Sequence, residues 1–257
     1  MRHVQFIILS LVTLLNLISF GCKKSPADSS AVETPTEQAV LPVDTPAFGF
    51  VLYDGLSTEA AAPIHLKLRQ QAPRILSDFK VAQADTYRVY LWGSTDSYLD
   101  AQQQLIGTRY PGSTGYVLGP SAMGLLNVST AANNAVHEYV HSLSLRINGN
   151  FGNNPRWCWE AVALYESGGF VDPRNVQYLL DGQYPSLNEL NLDFNAGSQK
   201  IYQVGYLLVE FIKTRWGFAS VIELIKQNGN VQSVFGKTNA EFEAVWKQFV
   251  EAKYFLR

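Results

Sequence analysis

Two histidines and a glutamate stand close together in the stretch AVHEYVHSL, residues 135–143. His137 and His141 are four residues apart, so on a helix both imidazoles project from the same face, one turn from each other. Two imidazole nitrogens presented in this way can bind one metal ion. Glu138, next to His137, can lie over the same ion as the base that takes a proton from a water molecule. The spacing predicts a hydrolytic zinc site and leaves open an ordinary helix with two exposed histidines and a solvated glutamate.

A zinc ion that binds two histidines and keeps one position open for water needs a third protein ligand. Glu160 follows His141 with eighteen residues between them, inside the helical segment RWCWEAVALYESG, residues 156–168. It is the candidate for that ligand. Three other polar residues are expected to be ordinary helix positions and not ligands: His65, Asn133 and Asn134.

This combination of segments resembles the gluzincin zinc metallopeptidases, whose HExxH helix is followed by a second helix with a Trp-x-x-Glu-Gly-x-Ala-x-Tyr pattern. Trp157, Glu160, Ala163 and Tyr165 match that pattern, and Ala161 stands in place of its glycine. The resemblance covers roughly residues 85–250. It implies that Glu160 is the third ligand, that Zn²⁺ is the cofactor, and that the substrate is a peptide or protein.

The same family uses a tyrosine, often within Tyr-x-x-Gly at the start of a later helix, to donate a hydrogen bond to the oxyanion formed during hydrolysis. Tyr202 begins the sequence YQVG, which matches that pattern. The resemblance therefore implies Tyr202 as the oxyanion donor, with Tyr206 as the alternative. Simple packing of a tyrosine in an aromatic-rich helix is the competing interpretation.

Two departures from the family pattern affect what the site can do. Thermolysin-like members have an aspartate four residues after the glutamate ligand, where this chain has Leu164. We therefore expect Glu166 or a backbone carbonyl to orient the imidazoles. Zinc aminopeptidases bind the substrate's amine with the glutamate of a Gly-x-Met-Glu-Asn strand, but Met123 is followed here by Gly124. This difference favours an endopeptidase over an aminopeptidase.

The elements that must hold these residues change in character along the chain. Tyr87, Val89 and Leu91 alternate with Arg88 and Tyr90, as in a half-buried strand. The sequence after Ala131 has mostly helical spacing. Short strands are predicted at 49–55 and 86–94, a helix at 62–79, and loops with an edge strand at 110–129. An extended peptide could pair with an edge strand at 115–118 or at 123–128.

This order of elements predicts an α+β fold. The resemblance implies a zincin-like fold, in which a small N-terminal sheet packs on the HExxH helix and the C-terminal part is mostly helical. We expect a peptidase domain at 47–257, with a sheet-containing lobe at about 47–145 and a helical lobe at about 146–257. The substrate would lie in the groove between the lobes.

The first 22 residues, MRHVQFIILSLVTLLNLISFGC, combine an early arginine with a long apolar run and predict an export signal. The ending Gly21-Cys22 resembles a bacterial lipobox, in which the signal is cut before a cysteine that then carries lipid. A transmembrane anchor or a plain cleaved signal stays open. Residues 23–46, with four prolines and little apolar character, predict a disordered tether. We expect an exported protein, lipid-anchored to an outer or periplasm-facing membrane of the cell envelope.

The composition is compatible with an exported protein and excludes few classes of function. With 47% hydrophobic residues and a net charge of −2, the chain can bury a sizeable core and has no charge excess that would indicate nucleic acid as a partner. We expect a monomer.

The chain has two cysteines, Cys22 and Cys158. If Cys22 carries lipid, Cys158 is the one cysteine left and no intrachain disulfide forms. Cys158, between two tryptophans, is predicted to be a small buried side chain and not a nucleophile.

Together these patterns predict a membrane-tethered zinc endopeptidase in which Glu138 is the general base. It would take a proton from the attacking water and return one to the leaving nitrogen. The alternative is a catalytically silent surface lipoprotein that uses the zincin fold for binding or assembly. A purely structural protein is the third possibility.

Overall fold

The computed structural model describes residues 47–82, 86–192 and 199–256. The predicted signal peptide, the lipidation site Cys22 and the tether at 23–46 lie outside the described residues. All described residues fall within one compact unit of the chain. None of the helices in these ranges is both long and apolar enough to cross a bilayer.

Within the described ranges, four short strands form one mixed sheet in the order β1-β2-β4-β3. They are β1 (Phe48–Leu52), β2 (Tyr87–Trp92), β3 (Gly115–Val117) and β4 (Ala122–Leu126). β1 and β4 run parallel to β2, whereas β3 pairs antiparallel with β4 and forms one edge of the sheet. The suggestion that 123–128 could pair with an extended peptide is therefore wrong, because β4 already has a strand on each side. Of the two segments suggested for pairing, the one at 115–118 contains an edge strand, β3.

Helices make up most of the remaining described chain. Their bounds are α1 (Thr58–Phe79), α2 (Thr95–Ile106), α3 (Ala131–Ile147), α4 (Arg156–Ser167), α5 (Gln177–Leu180), α6 (Leu187–Leu190), α7 (Lys200–Trp216), α8 (Phe218–Lys226), α9 (Val231–Phe235) and α10 (Asn239–Val250). A π-helical turn at Glu251–Phe255 continues α10. The fold is α+β, with a small sheet and a mostly helical body, as predicted. The division into two lobes stays a prediction.

Helix α2 was missed by the sequence analysis because its pattern is weak. Of its twelve residues, only Tyr98 and Gln102 are buried, so no apolar stripe marks a helix face. The Ser94 side chain accepts a hydrogen bond from the backbone of Ser97 and caps the helix at its start. A capping residue alone is a weak signal in a sequence.

One face of the sheet packs against the helix that contains the HEYVH residues. Tyr87, Val89 and Leu91 of β2 are all buried on this face. The Tyr87 ring lies 5.2 Å from the Tyr139 ring of α3, and the Tyr87 hydroxyl is 2.5 Å from that of Ser142. The alternation of buried side chains along β2 therefore fixes how α3 lies on the sheet.

Helices α4 and α7 come unusually close at Gly205. A Cβ placed on Gly205 would lie 3.1 Å from the Cα of Ala161 and 2.7 Å from Cδ1 of Leu164. A glycine permits this approach because it has no side chain. Ala161 follows Glu160, and Gly205 comes one turn after Tyr202. The close contact therefore sets the position of the candidate oxyanion donor relative to the candidate ligand.

We predict that Gly205→Ala destabilises the protein by about 1–3 kcal/mol, because the added methyl group overpacks the contact between α4 and α7. Helix propensity alone would instead raise the free energy of unfolding by about 1 kcal/mol, because alanine favours a helix more than glycine does. Urea unfolding measures the change. Gln203→Ala, on the exposed side of the same helix, is the control and should stay within about 0.5 kcal/mol of the wild type. A Gly205→Ala variant more stable than the wild type would contradict the prediction.

Candidate metal centre

His137, His141 and Glu160 meet at one point between α3 and α4. One potential ligand atom from each residue lies within 4.8 Å of those of the other two. Glu160 Oε2 is 3.2 Å from His137 Nε2 and 3.9 Å from His141 Nε2. A tetrahedral ion with bonds of about 2.0–2.2 Å holds its ligand atoms about 3.4 Å apart. These three residues could therefore hold a metal ion after small side-chain movements.

The two histidines lie on one face of α3, as their spacing predicts. Their ring centroids are 4.6 Å apart and the ring planes are nearly perpendicular. His141 is buried, whereas 17% of the His137 side chain is exposed. The interpretation of this segment as an ordinary helix with two exposed histidines is therefore wrong. Solvent reaches the three residues from the side of His137.

Burial and the neighbouring carboxylates give the two imidazoles different protonation behaviour. Burial alone would lower the pKa of His137, but the hydrogen bond and charge of Glu160 raise it overall. Burial, together with the charge of His137, holds the pKa of His141 well below its ordinary value. His141 is therefore neutral at pH 7, which is the form that binds metals.

Glu138 lies beside the three residues and is not one of the group. Burial raises the pKa of its carboxyl to about 7, with His137 opposing the rise and Glu160 adding to it. Its side chain packs directly against Gly115 of β3. A Cβ on Gly115 would lie 2.8 Å from Glu138 Oε1 and 2.9 Å from its Cγ. The absence of a side chain at Gly115 leaves the space that the Glu138 carboxylate occupies.

A cleft of about 1130 Å³ contains this whole group. Its lining includes all three candidate ligands together with Glu138 and the residues of β3. Both candidate oxyanion donors, Tyr202 and Tyr206, also line the cleft.

The surroundings of the two tyrosines differ. Burial raises the pKa of Tyr202, the charge of Glu160 adds to the rise, and Arg156 opposes it. The Arg156 guanidinium lies 5.6 Å from the centre of the Tyr202 ring. Tyr206 instead packs on Tyr165, with ring centroids 4.8 Å apart. Of the two tyrosines, Tyr202 is therefore the one whose pKa is affected by Glu160 and Glu138 of the candidate metal centre.

The expected orienting contact from Glu166 is absent. Arg74 Nη1 donates to Glu166 Oε2 at 2.5 Å, and Arg74 Nη2 donates to the Glu166 carbonyl at 2.6 Å. This pair connects α1 to the end of α4. Among the described residues, Nδ1 of His141 is buried with no hydrogen-bond partner. The imidazole ring of His141 instead lies flat against the indole of Trp159.

Three other residues behave as expected or make a clear structural contact. His65 is half-buried and makes an edge contact with Phe50, away from the metal centre. Asn134 donates to the Thr114 hydroxyl at 2.7 Å and so connects α3 to the start of β3. Cys158 is buried, and burial raises the pKa of its thiol, as suits a packing residue.

Three residues that line the cleft were not identified from the sequence as neighbours of the candidate site residues: Gly115, Arg156 and Trp159. A glycine in a stretch rich in glycine and proline predicts a turn, so nothing indicated that Gly115 faces Glu138. Trp159 matches no position of the family pattern.

A scan against protein-family models and a search of curated proteins found no match to this chain. The case for a metal centre therefore rests on the positions of His137, His141 and Glu160.

We predict that the wild-type protein binds one divalent ion, and that Glu160→Ala weakens its affinity by more than about 100-fold, since even loss of an outer-shell contact costs about 10–100-fold. Elemental analysis after dialysis against Zn²⁺, with a chelator titration, measures this. His65→Ala is the matched control and should bind the ion like the wild type. Full metal content in the Glu160→Ala variant would show that Glu160 is not a ligand.

Proposed function

We propose that this protein is a zinc-dependent endopeptidase of the gluzincin type with a zincin-like fold. We also propose that it is anchored to the cell envelope through lipid on Cys22. The observation that carries the enzymatic proposal is the convergence of His137, His141 and Glu160 in a cleft, with Glu138 beside them. The anchor rests on the sequence of residues 1–22 alone.

The donor set supports zinc as the ion. Two imidazole nitrogens and one carboxylate oxygen form a common ligand set of catalytic zinc sites, in which a fourth position stays open. When bound, zinc lowers the pKa of a coordinated water to about 7 and polarises a carbonyl group. His137, His141 and Glu160 would hold the ion.

We assign the remaining chemistry to Glu138 and Tyr202, which line the same cleft as the candidate ligands. We assign Glu138 as the general base that accepts a proton from the attacking water and then returns it to the leaving nitrogen. Glu138 is not one of the three candidate ligands. Both of its carboxylate oxygens are therefore available to accept and return a proton. Tyr202, a protonated phenol in the same cleft, would donate its O–H to the oxyanion that develops on the attacked carbonyl.

The edge strand supports a peptide as the substrate. Leu118 donates to the Ala122 carbonyl, and Leu126 donates to the Thr114 carbonyl, so the residues that flank β3 on each side bond to β4. In an antiparallel pair, the residues between them direct their N–H and C=O groups to the other side. Gly115 and Val117 therefore have backbone groups for an extended peptide, and both residues line the cleft.

The extent of the cleft supports cleavage inside a chain. Its volume of about 1130 Å³ exceeds the roughly 300–1,000 Å³ of typical small-molecule pockets. Asn133 and Asn134 from the first turn of α3, and Leu145 from its last turns, all line it. The cleft thus continues past the histidines in both directions, as an endopeptidase needs.

We predict that Glu138→Gln keeps the bound metal but lowers kcat by about 10²–10⁴-fold, because the amide cannot accept the proton from water. The measurement is cleavage of a chemically unfolded protein and of a broad peptide library, with metal content determined on the same samples. A chelator should stop cleavage by the wild type.

Two results would contradict this proposal. A Glu138→Gln variant as fast as the wild type would show that Glu138 is not the base. A wild type that binds zinc yet cleaves no member of the library would support the silent binding protein instead.

We also predict that Gly115→Ala lowers kcat by roughly 10–100-fold while metal affinity stays unchanged, because the methyl group displaces the Glu138 carboxylate by about 1 Å. Steady-state kinetics and a metal titration together test this. Gly49→Ala in β1 is the control, since a Cβ there meets only Thr86 at an ordinary 3.6 Å. Unchanged kcat in Gly115→Ala would mean that Glu138 tolerates the shift.

A further inference from the structure

His141 presents an unusual combination for a metal ligand. Its Nε2 faces Glu160, while its Nδ1 is buried and has no hydrogen-bond partner among the described residues. Histidines that bind metals almost always donate their second ring N–H to an oxygen, and that bond fixes the orientation of the ring. Another group must therefore restrain the imidazole of His141 if the site is to be preorganised.

The indole of Trp159 is in the position to do this. Its ring lies parallel to that of His141, with centroids 4.0 Å apart and an interplanar angle of 4°. Rotation of the imidazole about the bond to its Cβ would drive one ring edge into the indole. A flat contact at van der Waals distance thus restricts the same torsion that a hydrogen bond to Nδ1 would restrict.

Trp159 is itself held in place. It is buried, with 5% of its surface exposed, and the fully buried Phe151 contacts it at 5.7 Å between ring centroids. It also directly precedes Glu160 in α4. One helix therefore provides both a candidate ligand and the surface against which a second ligand lies.

We propose that Trp159 is a positioning residue for the metal ligand His141, and that ring stacking replaces the usual hydrogen bond to Nδ1. The proposal rests on the metal centre of the proposed function and adds a residue that touches neither ion nor substrate. A metal-bound imidazole has partial positive charge, which the electron-rich face of an indole attracts. The stack therefore favours the metal-bound state as well as the correct ring orientation.

The test compares metal affinity in variants that keep or lose a flat ring at position 159. Co²⁺ alone is the probe, with its dissociation constant measured by competition with a chromophoric chelator on the full chain. We expect Trp159→Leu to weaken Co²⁺ binding by about 10-fold or more, as other losses of ligand support do. We expect Trp159→Phe to stay within about threefold of the wild type, because phenylalanine restores a planar surface.

A matched control and a second readout separate positioning from general destabilisation. Trp157 is buried two residues earlier in α4, and its ring packs towards Phe242, with centroids 6.3 Å apart. Trp157→Leu removes a similar amount of buried surface and should leave Co²⁺ affinity unchanged. The visible absorption bands of bound Co²⁺, which report coordination geometry, should change in Trp159→Leu and not in Trp157→Leu.

If circular dichroism shows that Trp159→Leu is unfolded, Trp159→Met provides a larger non-planar side chain for the same comparison. Wild-type affinity in a folded Leu or Met variant would overturn the role of Trp159. Equal weakening in the Phe variant would overturn it too, because the flat ring would then not matter. A wild type that binds no Co²⁺ would overturn the metal centre of the proposed function.

Discussion

The structure depends on the packing of α4 against α3, because that contact brings a buried carboxylate next to two imidazoles. Glu160 lies within 3.9 Å of both His137 and His141, in surroundings where an unbalanced charge is costly. The hydrogen-bond contact of Glu160 with His137 balances part of this charge. A divalent ion would satisfy all three groups at once, so the fold and the ion would support each other.

Two glycines make the arrangement geometrically possible, each by a different close approach. Gly205 lets α7 come near the backbone of α4, which brings Tyr202 towards the cleft. Gly115 lets the edge strand lie directly over the carboxylate of Glu138. In both places a methyl group would collide with a neighbour, so the glycines matter for the volume they leave free and not for unusual backbone angles.

Patterns within one element were readable from the sequence, and contacts between elements were not. The spacing of His137 and His141 put both on one face of α3, and the alternation in β2 identified its buried side. The need for a third ligand made Glu160 a candidate, and the family resemblance supported this choice, because no local rule connects residues nineteen apart. The interior position of β4, the flat contact of Trp159 and the pairing of Glu166 with Arg74 depend on tertiary packing. The periodicity of apolar residues within one element does not predict such contacts between elements.

The shortness of β3 has a consequence for solubility. A strand edge able to accept a peptide also accepts an edge from another molecule, and long exposed edges promote aggregation. β3 spans three residues, Gly115–Val117, and glycines with positive φ stand at positions 112 and 119 on either side of it. The exposed ladder therefore ends after a few hydrogen bonds. Such an edge suits transient pairing with a short extended segment and is too brief to nucleate a growing intermolecular sheet.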